Sequence, residues 1–236
     1  MKKMRILQIA VLLAVSGAAG AADHLYELNS SLADTLGGPA LVDHGGIFND
    51  TSYIFGKNEG LTLPDQLGGV YTIDMVMTFD THNGWQKIID FNGLASDAGM
   101  YTYGSQWNFF PVSGYTATPA DGEPARLTLT RDASSNLSIY VNGSLIGAFN
   151  DAGGLANFGT NSANFFIDDH ATGQNEATSG NVDYIRTFDH ALTADEVGRL
   201  EAPAAPVPEP PSIAMLGAGL GLLVFLRRRT RTARKP

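Results

Sequence analysis

Three acidic residues close together in the sequence could bind a metal ion. Asp168 and Asp169 are adjacent, and Glu176 follows after a polar loop. Carboxylate oxygens are the hard ligands that calcium prefers, and one ion takes about six to eight of them. The spacing is not that of an EF-hand, and a solvated acidic turn accounts for the same residues. These three residues are the candidate calcium site, and the lack of EF-hand spacing slightly favours the solvated turn over it.

Four aromatic residues could contact a sugar: Trp85, Tyr101, Tyr103 and Trp107. Sugar rings stack on aromatic faces, and their hydroxyl groups need fixed polar partners. Both tryptophans have amide side chains nearby in the sequence, and Trp107 lies directly between Gln106 and Asn108. These four residues are the predicted glycan-binding residues. Packing of each tryptophan against a sheet is the alternative, and the setting of Trp85 at the start of a strand favours it there.

The acidic residues do not form the pattern that glycoside hydrolysis requires. A retaining glycosidase needs two carboxyl groups about 5 to 5.5 Å apart. Asp74 and Asp80 are six positions apart, and the adjacent Asp168 and Asp169 would point to opposite faces of an extended strand. The sequence also has no nucleophile elbow of the Gly-x-Ser-x-Gly type. We therefore predict that the protein is not an enzyme.

Charge and composition exclude several other classes of protein. The stretch from Asp23 to Glu201 has 23 acidic and 6 basic residues, a formal charge of −17. Such a surface repels phosphate groups, so nucleic acid is not an expected partner. The absence of cysteine excludes disulfides, thiolate zinc sites and cysteine nucleophiles. An anionic glycan would need a cation as a bridge to this surface, which is a further reason to consider calcium.

Short strands separated by glycine and asparagine turns dominate the middle of the chain. Alternation places Tyr71, Ile73, Met75, Met77 and Phe79 on one face of a strand, which should face the core. Strands are predicted at 70–79, 86–91, 125–131, 137–141, 163–167 and 182–188.

Two local signals refine this all-β prediction. Asn142-Gly143 is typical of a type I′ turn and predicts a tight hairpin. Thr193 and Glu196 match a capping box and predict a short helix after the last strand.

Several motifs in this region resemble a LamG-like domain of the concanavalin A type, over roughly Tyr26 to Leu200. The segments that carry the resemblance are Gly84 to Phe91, Leu129 to Asp132, Ile139 to Gly143, Phe165 to Asp169 and Leu192 to Val197. The resemblance implies a jelly-roll sandwich of two antiparallel sheets. It assigns residues 23–201 to this domain and does not by itself define a function.

The first 22 residues predict a secretory signal peptide. Basic residues precede an apolar run, and small residues follow it. Cleavage after Ala21 or after Ala22 satisfies the small-residue rule, and Ala21 is preferred.

The last 35 residues have three parts. Residues 202–211 form a proline-rich linker, residues 212–226 an uncharged apolar run, and residues 227–236 a basic tail. The apolar run predicts a single transmembrane helix with the basic tail on the cytoplasmic side. As a helix it would be roughly 22 Å long against a bilayer core of about 30 Å, so it fits a brief or locally thinned insertion.

The order Pro208-Glu209-Pro210, apolar helix and arginine cluster resembles the PEP-CTERM sorting signal of Gram-negative bacteria. The resemblance implies that these three residues form a sorting motif processed by an exosortase. It also implies export across the inner membrane to the cell surface or to an exopolysaccharide or biofilm matrix. A plain C-terminal membrane anchor is the alternative.

These observations lead to one preferred hypothesis for the function. The exported domain would be a non-catalytic module that binds polysaccharide. A structural matrix protein that acts through protein contacts or self-association is the second hypothesis, and a divergent glycoside hydrolase is the third.

Overall fold

The computed structural model describes residues 23–203 as fifteen strands and one helix, and the chain divides into two units after Glu201. The strands are β1 (His24–Tyr26), β2 (Val42–Asp43), β3 (Ile47–Phe48), β4 (Tyr53–Phe55), β5 (Leu61–Leu63), β6 (Tyr71–Phe79), β7 (Trp85–Asp90), β8 (Gly99–Tyr103), β9 (Gln106–Phe110), β10 (Ser113–Ala117), β11 (Ala125–Arg131), β12 (Asn136–Val141), β13 (Ser144–Asn150), β14 (Ala163–Phe165) and β15 (Gly180–Phe188). The helix α1 is Ala194–Arg199.

Several sequence predictions concern residues outside this range. They are the signal peptide with its cleavage sites at Ala21 and Ala22, the Pro208-Glu209-Pro210 motif, the apolar helix at 212–226 and the basic tail. Within residues 23–203, no helix has the length and apolar character needed to cross a membrane.

The strands form two antiparallel sheets that pack as a sandwich, as predicted. The eight-stranded sheet has the order β13-β12-β11-β6-β15-β4-β3, and β1 also pairs with β15. The seven-stranded sheet has the order β10-β9-β8-β7-β14-β5-β2. The arrangement is consistent with a jelly-roll.

The core lies between the sheets because apolar residues alternate along the strands that line it. The predicted core face of β6, from Tyr71 to Phe79, is buried. From the other sheet, Met100, Trp107 and Phe109 enter the same core. The burial of these large side chains provides most of the driving force for folding.

The two local signals are also confirmed. Asn142 and Gly143 both have positive φ, at 49° and 78°, and connect β12 to β13. The side chain of Thr193 accepts from the backbone amide of Glu196, whose carboxylate accepts from the amide of Thr193. The helix packs on the outward face of the eight-stranded sheet, where Val197 and Leu200 contact Tyr140 and Phe188 in a second apolar cluster.

Candidate functional site

The outward face of the seven-stranded sheet carries the side chains that could bind a ligand. In β9, Trp107 and Phe109 point into the core, so Gln106, Asn108 and Phe110 point outward. The strand register places Tyr103 of β8 opposite both Gln106 of β9 and Trp85 of β7. Neighbouring strands therefore contribute to one continuous surface.

Three aromatic rings from three strands meet on this surface and form what we term the aromatic patch: Trp85, Tyr103 and Phe110. The rings of Trp85 and Tyr103 stack with centroids 4.2 Å apart and planes inclined by 21°. Phe110 meets Trp85 edge to face at 5.3 Å. Tyr103 is 46% exposed, and the other two rings are half-buried. The patch thus offers aromatic surface to solvent while its rings hold one another in place.

Polar groups adjoin the aromatic patch. Gln106 is exposed and Asn108 is half-buried, and both side chains share the outward face with the rings. Gly114 of β10 pairs with Asn108, and a Cβ atom at position 114 would come within 3.2 Å of the Asn108 amide nitrogen. The glycine therefore leaves space above this amide. The combination of aromatic faces and side-chain amides suits a sugar, since its rings stack and its hydroxyl groups need partners.

A buried charged group, the lysine cluster, lies on the same face further along β7. The Nζ atom of Lys87 is 2.5 Å from Asp169 Oδ2, 3.6 Å from Asp90 Oδ2 and 4.0 Å from Asp168 Oδ1. The ring of Tyr101 lies 4.7 Å from the same nitrogen. All four partners are fully buried. The ammonium group thus partly neutralises three carboxyl groups at once.

The loop that follows β14 brings Asp168 and Asp169 to Lys87. The strand ends at Phe165, and the positive φ of Phe166, 59°, turns the chain away from extended geometry. Asp169 Oδ1 accepts from the amides of Ala171 and Thr172 at 2.8 and 3.1 Å. Because the chain is not extended here, the two adjacent aspartates both reach the same lysine and do not point to opposite faces.

The surroundings shift the pKa values of several acids in this region. Burial raises the pKa of Asp169, but the hydrogen bond and charge of Lys87 outweigh it, so the net pKa is below its ordinary value. Burial raises the pKa of Asp90, and its hydrogen bond from Leu94 does not compensate. Burial together with the negative charge of Asp97 raises the pKa of Glu176 to about 7. The surroundings therefore stabilise the charged form of Asp169 and destabilise the charged forms of Asp90 and Glu176.

The lysine cluster changes the interpretation of the predicted calcium site. The ammonium group of Lys87 faces one oxygen each of Asp168 and Asp169, and the other oxygen of Asp168 accepts from Thr172 and from the amide of Glu176. Among residues 23–203, no group of three or more His, Cys, Asp or Glu side chains is arranged to hold a metal ion. The calcium prediction for Asp168, Asp169 and Glu176 is corrected accordingly. For Asp168 and Asp169, the positive charge comes from Lys87.

Of the four predicted glycan-binding residues, two are buried and two lie at the surface. Trp107 is wrong as a contact, because it is only 1% exposed and belongs to the core. Tyr101 is fully buried, with its ring against Trp85 and its hydroxyl donating to Asp97 at 3.0 Å. Trp85 and Tyr103 lie at the surface in one stack. Trp85 is the first residue of β7, a position that favoured packing against the sheet. In the structure this position places its ring at the surface.

Phe110 and Lys87 were missed by the sequence analysis. Period-two alternation was the available signal for Phe110, since it places this ring on the face opposite to Trp107 and Phe109. No local signal identifies the role of Lys87, because its strongest partner, Asp169, is 82 positions away.

Asp74 and Asp80, the other two carboxylates considered for hydrolysis, do not form a pair either. Asp74 lies on the outward face of the eight-stranded sheet and accepts from Arg126 at 2.7 Å and Arg186 at 2.8 Å. Asp80 accepts instead from the hydroxyl of Ser179.

Comparison with known proteins identifies the family. Residues 55–198 match the family model described as the concanavalin A-like lectin/glucanases superfamily. The match covers more than half of the chain, so the protein belongs to this family. No curated protein sequence matches it.

Several solved structures share the fold at low sequence identity. The sialidase of Trypanosoma rangeli, in complex with 2,3-difluorosialic acid, aligns with a TM-score of 0.60 at 16% identity over 74% of this chain. The chain spans only 31% of that sialidase. Domain 4 of AbnA, a GH43 extracellular arabinanase of Geobacillus stearothermophilus in complex with arabinotriose, aligns with a TM-score of 0.58 at 14% identity, over 75% of this chain and 96% of that domain.

The receptor-binding domain of botulinum neurotoxin type G also aligns, with a TM-score of 0.57 at 19% identity over 76% of this chain and 50% of that domain. At these identities the alignments show a shared fold alone.

Proposed function

We propose that the sandwich is a non-catalytic carbohydrate-binding module and that the aromatic patch is its binding surface. The observation that carries this proposal is the stack of Trp85 on Tyr103, exposed on a sheet face beside the amides of Gln106 and Asn108. Aromatic faces with a few fixed polar groups are typical of sugar sites. The similar arabinanase domain, of which this fold covers nearly the whole, is in complex with arabinotriose.

The absence of catalysis is part of the proposal. Most glycoside hydrolases use two carboxyl groups that flank the bond to be cleaved. On the outward face of the seven-stranded sheet, Asp90, Asp168 and Asp169 are buried around Lys87 and do not face the aromatic patch as a free pair. Incubation of the protein with each glycan that it binds should therefore release no shorter oligosaccharide.

The proposed context is the outside of a Gram-negative cell. It follows from the two ends of the sequence, namely the signal peptide and the segment with Pro208-Glu209-Pro210, apolar run and arginine cluster. Mass spectrometry of the protein from its native cells tests this context. An N-terminus at Ala22 or Asp23 and a C-terminus near Glu209 that depends on an exosortase are the expected results. A full-length chain would contradict them.

Binding is tested with a glycan array and with two surface variants, Trp85→Ala and Tyr103→Ala. Loss of a central aromatic contact costs about 2 kcal/mol, which weakens binding roughly thirtyfold. Leu145→Ala is the matched control, because Leu145 is 56% exposed and pairs with Tyr140 on the outward face of the other sheet. Equal binding by all three variants and the unmodified protein would refute the assignment of the aromatic patch.

Self-association is the second candidate function, favoured by an apolar edge of the eight-stranded sheet. Ile47 of β3 is 64% exposed and pairs directly with Ile54 of β4, which is also exposed. Exposed edge strands are potential sites of pairing with another chain. Sedimentation of the protein with and without Ile47→Lys distinguishes this candidate from a monomeric binding module.

A further inference from the structure

The strands that carry most of the aromatic patch contain no ionisable acidic or basic residue other than tyrosine over a long stretch. Residues 99–120, which include all of β8, β9 and β10, have no Asp, Glu, Lys, Arg or His. This is unusual within a domain that has 23 acidic and 6 basic residues between Asp23 and Glu201. The surface that these strands expose is therefore polar through amides, hydroxyls and backbone groups and carries no formal charge.

The neighbouring strand β7 does not add a free charge to this surface. Trp85 follows the uncharged Asn83 and Gly84 in the connection to β7. Lys87 is buried and is within 4.0 Å of three carboxylates, so its ammonium group is already matched. A ligand on the aromatic patch meets neither an exposed cation nor an exposed carboxylate of β7.

The basic residues elsewhere in the domain are also engaged. Five of the six basic residues between Asp23 and Glu201 lie within 4.0 Å of a carboxylate: Lys87, Arg126, Arg131, Arg186 and Arg199. An anionic polymer therefore finds few cations to bind, and the net charge of −17 repels it. At Asp168 and Asp169 the nearby cation is Lys87, so these two acids do not offer a free calcium bridge to offset this repulsion.

We propose that the ligand of the aromatic patch is a neutral polysaccharide, bound without a bridging metal ion. This inference rests on the proposed function and names the chemical class of its ligand. The uncharged faces of the sugar rings stack on Trp85 and Tyr103, and hydroxyl groups bond to Gln106 and Asn108. Selection against carboxylated or sulfated polymers comes from the charge-free surface and from the acidic domain around it.

The test compares polymers that differ only in charge. Affinity electrophoresis of the purified protein is run with hydroxyethyl and carboxymethyl derivatives of cellulose, dextran and a β-1,3-glucan. The neutral form of at least one backbone should retard the protein, equally with and without a chelator and equally in low salt and about 1 M NaCl. The carboxymethyl form of that backbone should bind at least about tenfold more weakly in low salt, because like charges are brought together.

Two charge variants test whether the charge-free surface itself selects against anionic polymers. Gln106→Lys places a cation within the charge-free surface, and Leu145→Lys adds the same charge on the outward face of the other sheet. Gln106→Lys should increase retention by the carboxymethyl polymer several-fold more than Leu145→Lys does. Equal gains would show that net charge alone selects the ligand and would overturn the role of the charge-free surface.

The outcomes separate this inference from the proposed function. Stronger retention by a carboxymethyl form, lost in Trp85→Ala or Tyr103→Ala, would refute the neutral ligand and leave the aromatic patch as the binding surface. Retention that neither Trp85→Ala nor Tyr103→Ala changes would refute the aromatic patch as the binding surface. Circular dichroism of both variants distinguishes lost binding from lost folding, and Tyr103→Ala is the milder change because its ring is the more exposed one.

Discussion

Replacement of Lys87 by methionine is expected to destabilise the protein severely. The side chain keeps its length and apolar stem but loses the charge that faces Asp169 at 2.5 Å. At an effective dielectric constant of about 20, charges at this distance attract by about 7 kcal/mol. Removal of the lysine also returns several kcal/mol of its own desolvation cost. The expected net loss in the free energy of unfolding is about 3–5 kcal/mol at pH 7.

The assay is equilibrium unfolding in urea, followed by tryptophan fluorescence. Lys57→Met is the matched control, because Lys57 is exposed, and its loss should change stability by no more than about 0.5 kcal/mol. In Lys87→Met the orphaned carboxylates acquire raised pKa values, so the destabilisation should shrink as the pH falls and the acids become protonated. The double variant Lys87→Met with Asp169→Asn should recover part of the loss.

One result would refute this account of the lysine cluster. If Lys87→Met and Lys57→Met cost the same, or if the cost of Lys87→Met did not change between pH 4 and pH 7, the cluster would not stabilise the domain through charge. The contacts around Lys87 would then be worth no more than ordinary packing.

Three further predictions concern Glu176, Trp107 and Thr193. The raised pKa of Glu176, about 7, means that the folded protein favours the protonated acid, so its contribution to stability is lost as the pH rises from 4.5 to about 7. Glu176→Gln should remove this dependence and, because the half-buried group is screened by solvent, gain only about 1 kcal/mol over the unmodified protein at pH 8 in urea unfolding. Trp107→Ala should lose about 3–5 kcal/mol in the same assay yet retain glycan affinity in whatever fraction stays folded, the opposite of Trp85→Ala. Thr193→Ala removes the cap of α1 and should lower stability by about 1 kcal/mol in thermal or urea unfolding; an unchanged value would show that α1 is held by packing alone.

Local patterns were sufficient for much of the fold. The strand at 125–131 has the predicted bounds, and the core face of β6 follows from alternation alone. The hairpin at Asn142-Gly143 and the capping box at Thr193 depend on contacts within a few residues, so short sequence motifs define them.

The candidate site needed contacts that sequence spacing does not contain. The sequence places Gln106 and Asn108 beside Trp107, but in a strand adjacent side chains point to opposite faces. Their real neighbours are the rings of the aromatic patch, which come from β7, β8 and β9. Likewise, Asp168 and Asp169 looked like free ligands because Lys87 precedes them by more than 80 positions.

Both ends of the described domain lie on the eight-stranded sheet. β1 pairs with the end of β15, and the amide of Asp189 donates to the carboxylate of Asp23. On the outward face of the same sheet, Arg126 holds the carbonyl of Leu200 at the end of α1. The aromatic patch faces outward from the other sheet. A domain tethered through either end would therefore present the proposed binding surface away from the point of attachment, so that a tether and a long polymer could be engaged at the same time.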